Sequence, residues 1–234
     1  MKYRLSPEEL AGFDVTYEMV PCDMHRTFSM KSTSSCRLAS AYPGRNTFLY
    51  FESLFEFECG QYFWARNDVV DLKTQQLVYY TDELGTHEHY FDLMVTFNTG
   101  EVVLFSCRPK SSDKSGKLAR TLQSIRNQTL RFHADRCEML TEEDITEADV
   151  CRAREILRSR KFRNSANCAR LLELFKAIGK PVRVFQLQEE FGREGAAWNA
   201  MWNLIGDGMI EHLAPDENSI LTHTSWIKLM EYDA

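Results

Sequence analysis

Two short runs on either side of a glycine-containing turn hold the chain's clearest case for chemistry. Tyr90 to Phe97 (YFDLMVTF) and Glu101 to Cys107 (EVVLFSC) flank Asn98-Thr99-Gly100, the pattern of a β-hairpin. With a three-residue loop, Phe97 faces Glu101, and counting outward sets Asp92 across from Ser106 with both side chains on one face. Arg108, two residues beyond Ser106, projects from that face too. An acid on one strand, an acid-x-Lys on the next and a Glu from a preceding helix are what a metal-dependent nuclease uses. The carboxylates hold a divalent cation that activates water, and the Lys orients the water or neutralises phosphate charge. Here Asp92 is present and Glu56 or Glu52 is available upstream, but Ser106 replaces the second strand carboxylate and Arg108 replaces the Lys. Serine is a neutral, poor magnesium ligand, and arginine stays protonated, so it binds phosphate but cannot serve as a base. The backbone carbonyl of Cys107 is a further candidate ligand. A surface hairpin with one Asp and one Arg is the competing reading.

The elements that must position these residues are legible to different degrees. Asn46 to Trp64 is dense in aromatics at near-helical spacing and predicts a buried helix. Val69 to Tyr80 carries two β-rich runs, Lys117 to Arg126 predicts a helix, and Leu130 to Met139 predicts a last strand. Leu140-Thr141-Glu142-Glu143 has the look of a helix start, and the first ~45 residues read as loop and short strand with a turn at Pro43-Gly44. From about Asp144 the pattern becomes helical, with a stop at Gly179 before Pro181. VRVFQLQEEFG, AAWNAMWNLIGDGMIEHL and SILTHTSWIKL then give helix, turn, helix and two short strands around Asp216-Glu217-Asn218, a winged helix-turn-helix order.

A length of 234 residues predicts two domains, and 44% hydrophobic with 26% charged residues is an ordinary globular composition. No run approaches the ~20 apolar residues of a membrane span, and the start MKYRLSPEELAGFD matches no secretory signal or transit peptide, so a soluble, cytoplasmic protein is expected. Seven widely spaced cysteines without a C-x-x-C pair predict reduced packing residues rather than a disulfide scaffold or closed zinc site. Net charge is -6, yet Arg108 to Arg136 holds eight Lys/Arg against two acids, and Cys151 to Arg170 seven against one. Such blocks can follow a phosphate backbone, or line a solvated helix face. Ala177 to Ala234 has four Lys/Arg and nine Asp/Glu. Its expected recognition helix offers Trp198, Asn199, Trp202 and Asn203 but no cation, which favours a protein over DNA as its partner. Trp198 and Trp202 serve either as core or as interface anchors. His87-Glu88-His89 could bind a metal but reads as a loop ahead of a strand, and Cys22 with His25 and His212 with His223 read as structural. Neither a glycine-rich phosphate loop nor a G-x-S-x-G elbow occurs.

The run YPGRNTFLYFESLFEFECGQYFWARNDVVDLKTQQ resembles the core of TnsA-type transposon-end endonucleases, in which an E-S-x-x-E segment opens the catalytic helix and a Gln-containing segment follows. YFDLMVTFNTGEVVLFSCRP is similar to that family's T-P-D-F-x-V hairpin and acid-x-Lys-Pro strand, and ITEADV through NCARLLEL to its link into a C-terminal helical domain. The resemblance covers roughly Ala39 to Leu174. It implies an α/β chain, with a restriction-endonuclease-like nuclease domain over 1–145 followed by an all-α or winged-helix C-terminal domain over 146–234. It further implies Mg2+ (or Mn2+) dependence and cleavage of the 5′, non-transferred strand at the ends of a Tn7-like element in bacterial cytoplasm. The implied partners are double-stranded DNA at transposon ends, a DDE transposase (TnsB-like) and an ATPase regulator (TnsC-like). By position, Glu56 becomes the helix carboxylate, Asp92 the metal-bridging acid, Ser106 the altered acid or Gln position and Arg108 the altered Lys, with Glu56, Asp92 and Cys107 as metal ligands. Lys110, Lys114, Lys117, Arg120 and Arg126 then become the expected DNA contacts. With two of four catalytic positions changed, a catalytically inactive architectural subunit is the alternative expectation.

Overall fold

The computed structural model describes residues 20–21, 24–26, 36–42, 47–112, 115–192, 194–213 and 220–230. Cys22, Lys114 and the two turns expected at Pro43-Gly44 and Asp216-Glu217-Asn218 lie outside the described residues. The chain divides into two compact units, Met1–Gly60 with Val69–Thr141, and Gln61–Asp68 with Glu142–Ala234. The seam after Thr141 lies near the expected boundary, and the end of the first helix belongs to the second unit. No helix among the described residues is long and apolar enough to cross a membrane.

In the first unit, β1 (Val20–Pro21), β2 (Leu38–Tyr42) and β3 (Thr47–Phe51) form a small sheet in the order β1-β3-β2, and α1 (Leu54–Ala65) follows. The aromatic run read as one helix is therefore a strand and a helix. Leu49 and Phe51 are buried at alternate positions, the period of a strand, and Ser53 breaks the run by capping the helix behind it. Next come β4 (Val69–Asp82), β5 (Gly85–Phe97) and β6 (Val102–Cys107), an antiparallel meander, then α2 (Lys117–Gln128) and β7 (Arg136–Leu140), which returns parallel to β6. A parallel neighbour needs such a crossover, and α2 supplies it. The sheet order is β4-β5-β6-β7. The stretch after α2 read as strand from Leu130 first makes a tight turn, in which Phe132, His133 and Ala134 donate to the carbonyls of Thr129, Leu130 and Leu130. Val78, Phe91, Leu104, Leu122, Ile125, Leu130 and Cys137 form the core between the sheet and α2.

The second unit runs α3 (Glu147–Lys161), α4 (Ser165–Ile178), β8 (Val182–Arg183), α5 (Val184–Phe191), α6 (Glu194–Gly206), β9 (Ile210–Leu213) and β10 (Trp226–Leu229), with sheet order β8-β10-β9. The helix start read at Leu140 to Glu143 is not used; α3 begins later, at a capping box in which Thr146 and Asp149 satisfy each other's backbone N–H. Gly179 ends α4 in the left-handed conformation, as expected of a glycine stop. Beyond Gly195 no residue of α6 is exposed: Ala197, Ala200, Met201, Trp202 and Leu204 are core, and Asn199 and Asn203 donate to the Ser159 carbonyl of α3 at 3.2 and 3.1 Å.

Candidate functional site

The site starts from a helix cap. Ser53 Oγ accepts the Glu56 N–H at 3.2 Å and donates its own hydrogen to Glu56 Oε1 at 3.0 Å, while Glu56 Oε2 accepts the Glu52 N–H at 2.7 Å. Glu56 is thus held at the head of α1, 3% exposed, with both oxygens engaged in the cap. From β5 comes Asp92, 4% exposed, whose Oδ2 accepts the Cys107 N–H at 2.8 Å.

The hairpin has the expected register. Phe97 donates to the Glu101 carbonyl at 2.8 Å, and the β5–β6 ladder pairs Thr96 with Val102 through to Leu93 with Phe105. The shared face, however, does not follow. Phe91 and Met94, three residues apart, both pack into the α2-side core, so side-chain alternation slips once between them, at Asp92 and Leu93. Opposite this slip Gln75 of β4 is buried with a positive φ of 56°, in the left-handed region. Asp92 consequently turns toward α1, as does Cys107, whose thiol contacts Cys59 of α1 and is pushed well up, first by burial and then by that contact. Ser106 points to the opposite face, fully buried, and its hydroxyl meets His89 Nε2 at 2.9 Å. Ser106 is therefore no partner of Asp92, correcting the expectation that the two act together.

Arg108 does reach Asp92. Its Nη1 donates to the Cys107 carbonyl at 2.9 Å and lies 3.3 Å from Asp92 Oδ2 and 3.6 Å from Glu56 Oε1. These are the three groups expected to hold a metal, and one guanidinium nitrogen sits on all of them. Burial, then the neighbouring Glu56 carboxylate, pushes Asp92 up to about 7, against the opposing pull of Arg108 and the Cys107 N–H. Glu56 is also raised, chiefly by burial. Mg2+ needs oxygens at about 2.0–2.1 Å in near-octahedral array, and dehydrates for them reluctantly. Here one carboxylate serves as a helix cap, burial raises the other, and the half-exposed Arg108 guanidinium lies among them. Glu56, Asp92 and the Cys107 carbonyl, the expected metal ligands, are thus brought together, and in this structure all three face the Arg108 guanidinium. Among the described residues no group of three or more His, Cys, Asp or Glu is arranged to hold a metal ion.

His87, Glu88 and His89 diverge: His87 meets Asp82 at 2.7 Å, Glu88 accepts from Tyr90 at 3.2 Å, and His89 turns inward to Ser106. Burial, then the Arg108 charge, lowers His89 to about 4, so it is neutral. Of the expected DNA contacts, Lys110, Lys117, Arg120 and Arg126 are exposed, and Arg120 Nη1 donates to the Ser115 carbonyl at 3.0 Å. Arg126 is partly diverted: its guanidinium donates twice to the Cys137 carbonyl, at 2.6 and 3.2 Å, and ties α2 to β7. In the second unit Trp198 packs edge-on against Trp202 and stacks on His223, which also meets Gln188, in keeping with structural roles for both Trp202 and His223.

Sequence reasoning missed the Glu56 cap, although Ser53-x-x-Glu56 is a capping-box spelling. It also missed His89 as the partner of Ser106, which no local signal announces.

No protein-family model matches the chain, and no curated protein matches it.

Proposed function

We propose that this chain is a TnsA-like subunit of a DNA transposition machinery with a silent nuclease site, serving as an architectural DNA- and protein-binding component. The observation that carries the silence is the Arg108 guanidinium seated on the Cys107 carbonyl, Asp92 and Glu56. The order helix, three-stranded meander, crossover helix, parallel strand supports a restriction-endonuclease-like reading of the first unit. Helix, strand, two helices and a hairpin, with the first strand beside the last, supports a winged-helix reading of the second. The assignment to transposition rests on the resemblance of residues 39–174.

DNA is bound by the acid-free face of α2, through Lys117 and Arg120, with Lys110 nearby in sequence. The second unit does not read a groove, because the helix that would do so is covered by α3 and α4. Its acidic excess suits a protein partner, a TnsB-like transposase or TnsC-like regulator.

The test is titration of Mn2+ and Mg2+ into the protein with a DNA duplex, by calorimetry, with strand cleavage followed in parallel for wild type and Asp92→Ala. The expected result is no Asp92-dependent metal binding and no cleavage, with Lys117→Glu/Arg120→Glu weakening DNA binding and reducing its salt slope by about two. Cleavage that disappears in Asp92→Ala overturns the silent reading and restores the endonuclease. An unchanged salt slope in the double variant overturns the DNA surface.

A further inference from the structure

At the end of α2 the chain presents an aromatic ring to solvent on a rigid mount. Phe132 is 69% exposed, yet the turn bearing it is tied by three backbone hydrogen bonds, and its neighbour Leu130 is anchored in the core. The Arg131 guanidinium lies over the ring, 4.7 Å from its centroid, covering one face and leaving the rest open. From Gly116 to Ala134 there is no acid, and Lys117, Arg120, Arg126 and Arg131 supply four cations. Thr129 Oγ donates to the Tyr79 carbonyl, and Gln128 bonds both the N–H and the carbonyl of Thr81, so the platform is also fixed to β4. A single exposed apolar side chain needs no explanation by itself. A ring stiffened by an arginine, held on a short turn and set at the end of a cationic helix face, has the components of a stacking site for a nucleobase: a π face for the base and guanidinium charge for its phosphate.

We propose that Phe132, backed by Arg131, stacks on an unpaired base of a DNA strand, so that the protein prefers DNA with a single-stranded overhang over a blunt duplex. This rests on the DNA-binding reading above and goes further in naming the form of DNA. Within a paired duplex each base stacks on two neighbours, and at a blunt end only the outer face of the terminal pair is open, with its bases held in the duplex and not free to turn toward Phe132. At a frayed or overhanging end the terminal base offers a free face at no unstacking cost.

The experiment compares the full chain with Phe132→Ala, Phe132→Trp and Lys117→Glu/Arg120→Glu for binding of a labelled blunt duplex and of the same duplex with a short single-stranded overhang. Circular dichroism checks that each variant is folded, as expected for such exposed positions. Wild type should bind the overhang at least about fivefold more tightly than the blunt duplex, Phe132→Ala should lose that margin, and Phe132→Trp should keep it. The double charge variant should weaken both DNAs alike. Equal wild-type affinity for the two DNAs, or a margin that survives Phe132→Ala, overturns the stacking proposal while leaving the DNA surface intact. Binding of neither DNA by wild type overturns both readings.

Discussion

Replacing Asp92 with Asn should make this protein progressively more stable relative to wild type as pH rises. Asp92 is 4% exposed and its carboxyl is pushed from 3.8 to about 7. A carboxyl whose pKa rises on folding contributes its full stability below the unfolded value, and that contribution is lost as pH rises through the folded value. Linkage at 1.36 kcal/mol per pK unit makes the wild-type fold about 2.5 kcal/mol worse off at this residue at pH 8 than at pH 5. His89 works in the other direction. Lowered from 6.5 to about 4, it favours the fold above 6.5 and withdraws about 2 kcal/mol by pH 5. The two nearly cancel, so these two residues leave wild type almost flat across this range and the effect of Asp92 is hidden until it is removed. Asn at 92 keeps an oxygen for the Cys107 N–H and has no proton to exchange, while Arg108, 42% exposed at its side chain, turns to water. Urea unfolding of wild type and Asp92→Asn at both pH values is the assay. The stability difference between variant and wild type should move by about 2.5 kcal/mol in the variant's favour from pH 5 to pH 8. A difference that is the same at both pH values, or that moves the other way, refutes a buried, uphill carboxyl held by Arg108.

Two substitutions away from the site test the second unit's construction. Thr146→Ala removes the hydroxyl that caps α3 and should cost about 1 kcal/mol in urea unfolding, with Thr146→Ser restoring most of it. Gly206→Ala puts a methyl 2.7 Å from Ile156 Cγ2 and should cost about 1–3 kcal/mol, and the strain should be relieved when Ile156 is cut back to Ala, which removes Cγ2, in the same chain.

The hairpin's turn and register were legible because Asn98-Thr99-Gly100 sets its loop length, but β5 begins at Gly85 and takes in His87, Glu88 and His89, which read as a loop. What escaped was the face. A slip in alternation at Asp92 and Leu93, matched by the left-handed Gln75 on β4, depends on a strand some twenty residues upstream and leaves no local mark. The α2 helix was legible through its period, whereas the aromatic run from Asn46 misled because Phe, Tyr and Leu suit a strand as well as a buried helix, and only Ser53 divides them. At the candidate site, residue types singled out Glu56, Asp92, Ser106 and Arg108. The seat of Arg108 on the Cys107 carbonyl, Asp92 and Glu56 emerged only from the folded geometry.

That seat changes who controls the site. An ion drawn from solution comes and goes with its concentration, can be stripped by a chelator, and lets a cell switch a centre by starving it. A guanidinium joined to the next residue along the backbone is delivered at synthesis, one per molecule, and cannot diffuse away. Under the proposed silent site, the locus joining α1, β5 and β6 does not depend on metal supply, and its charge balance changes with solvent protons on Asp92 or with mutation of Arg108.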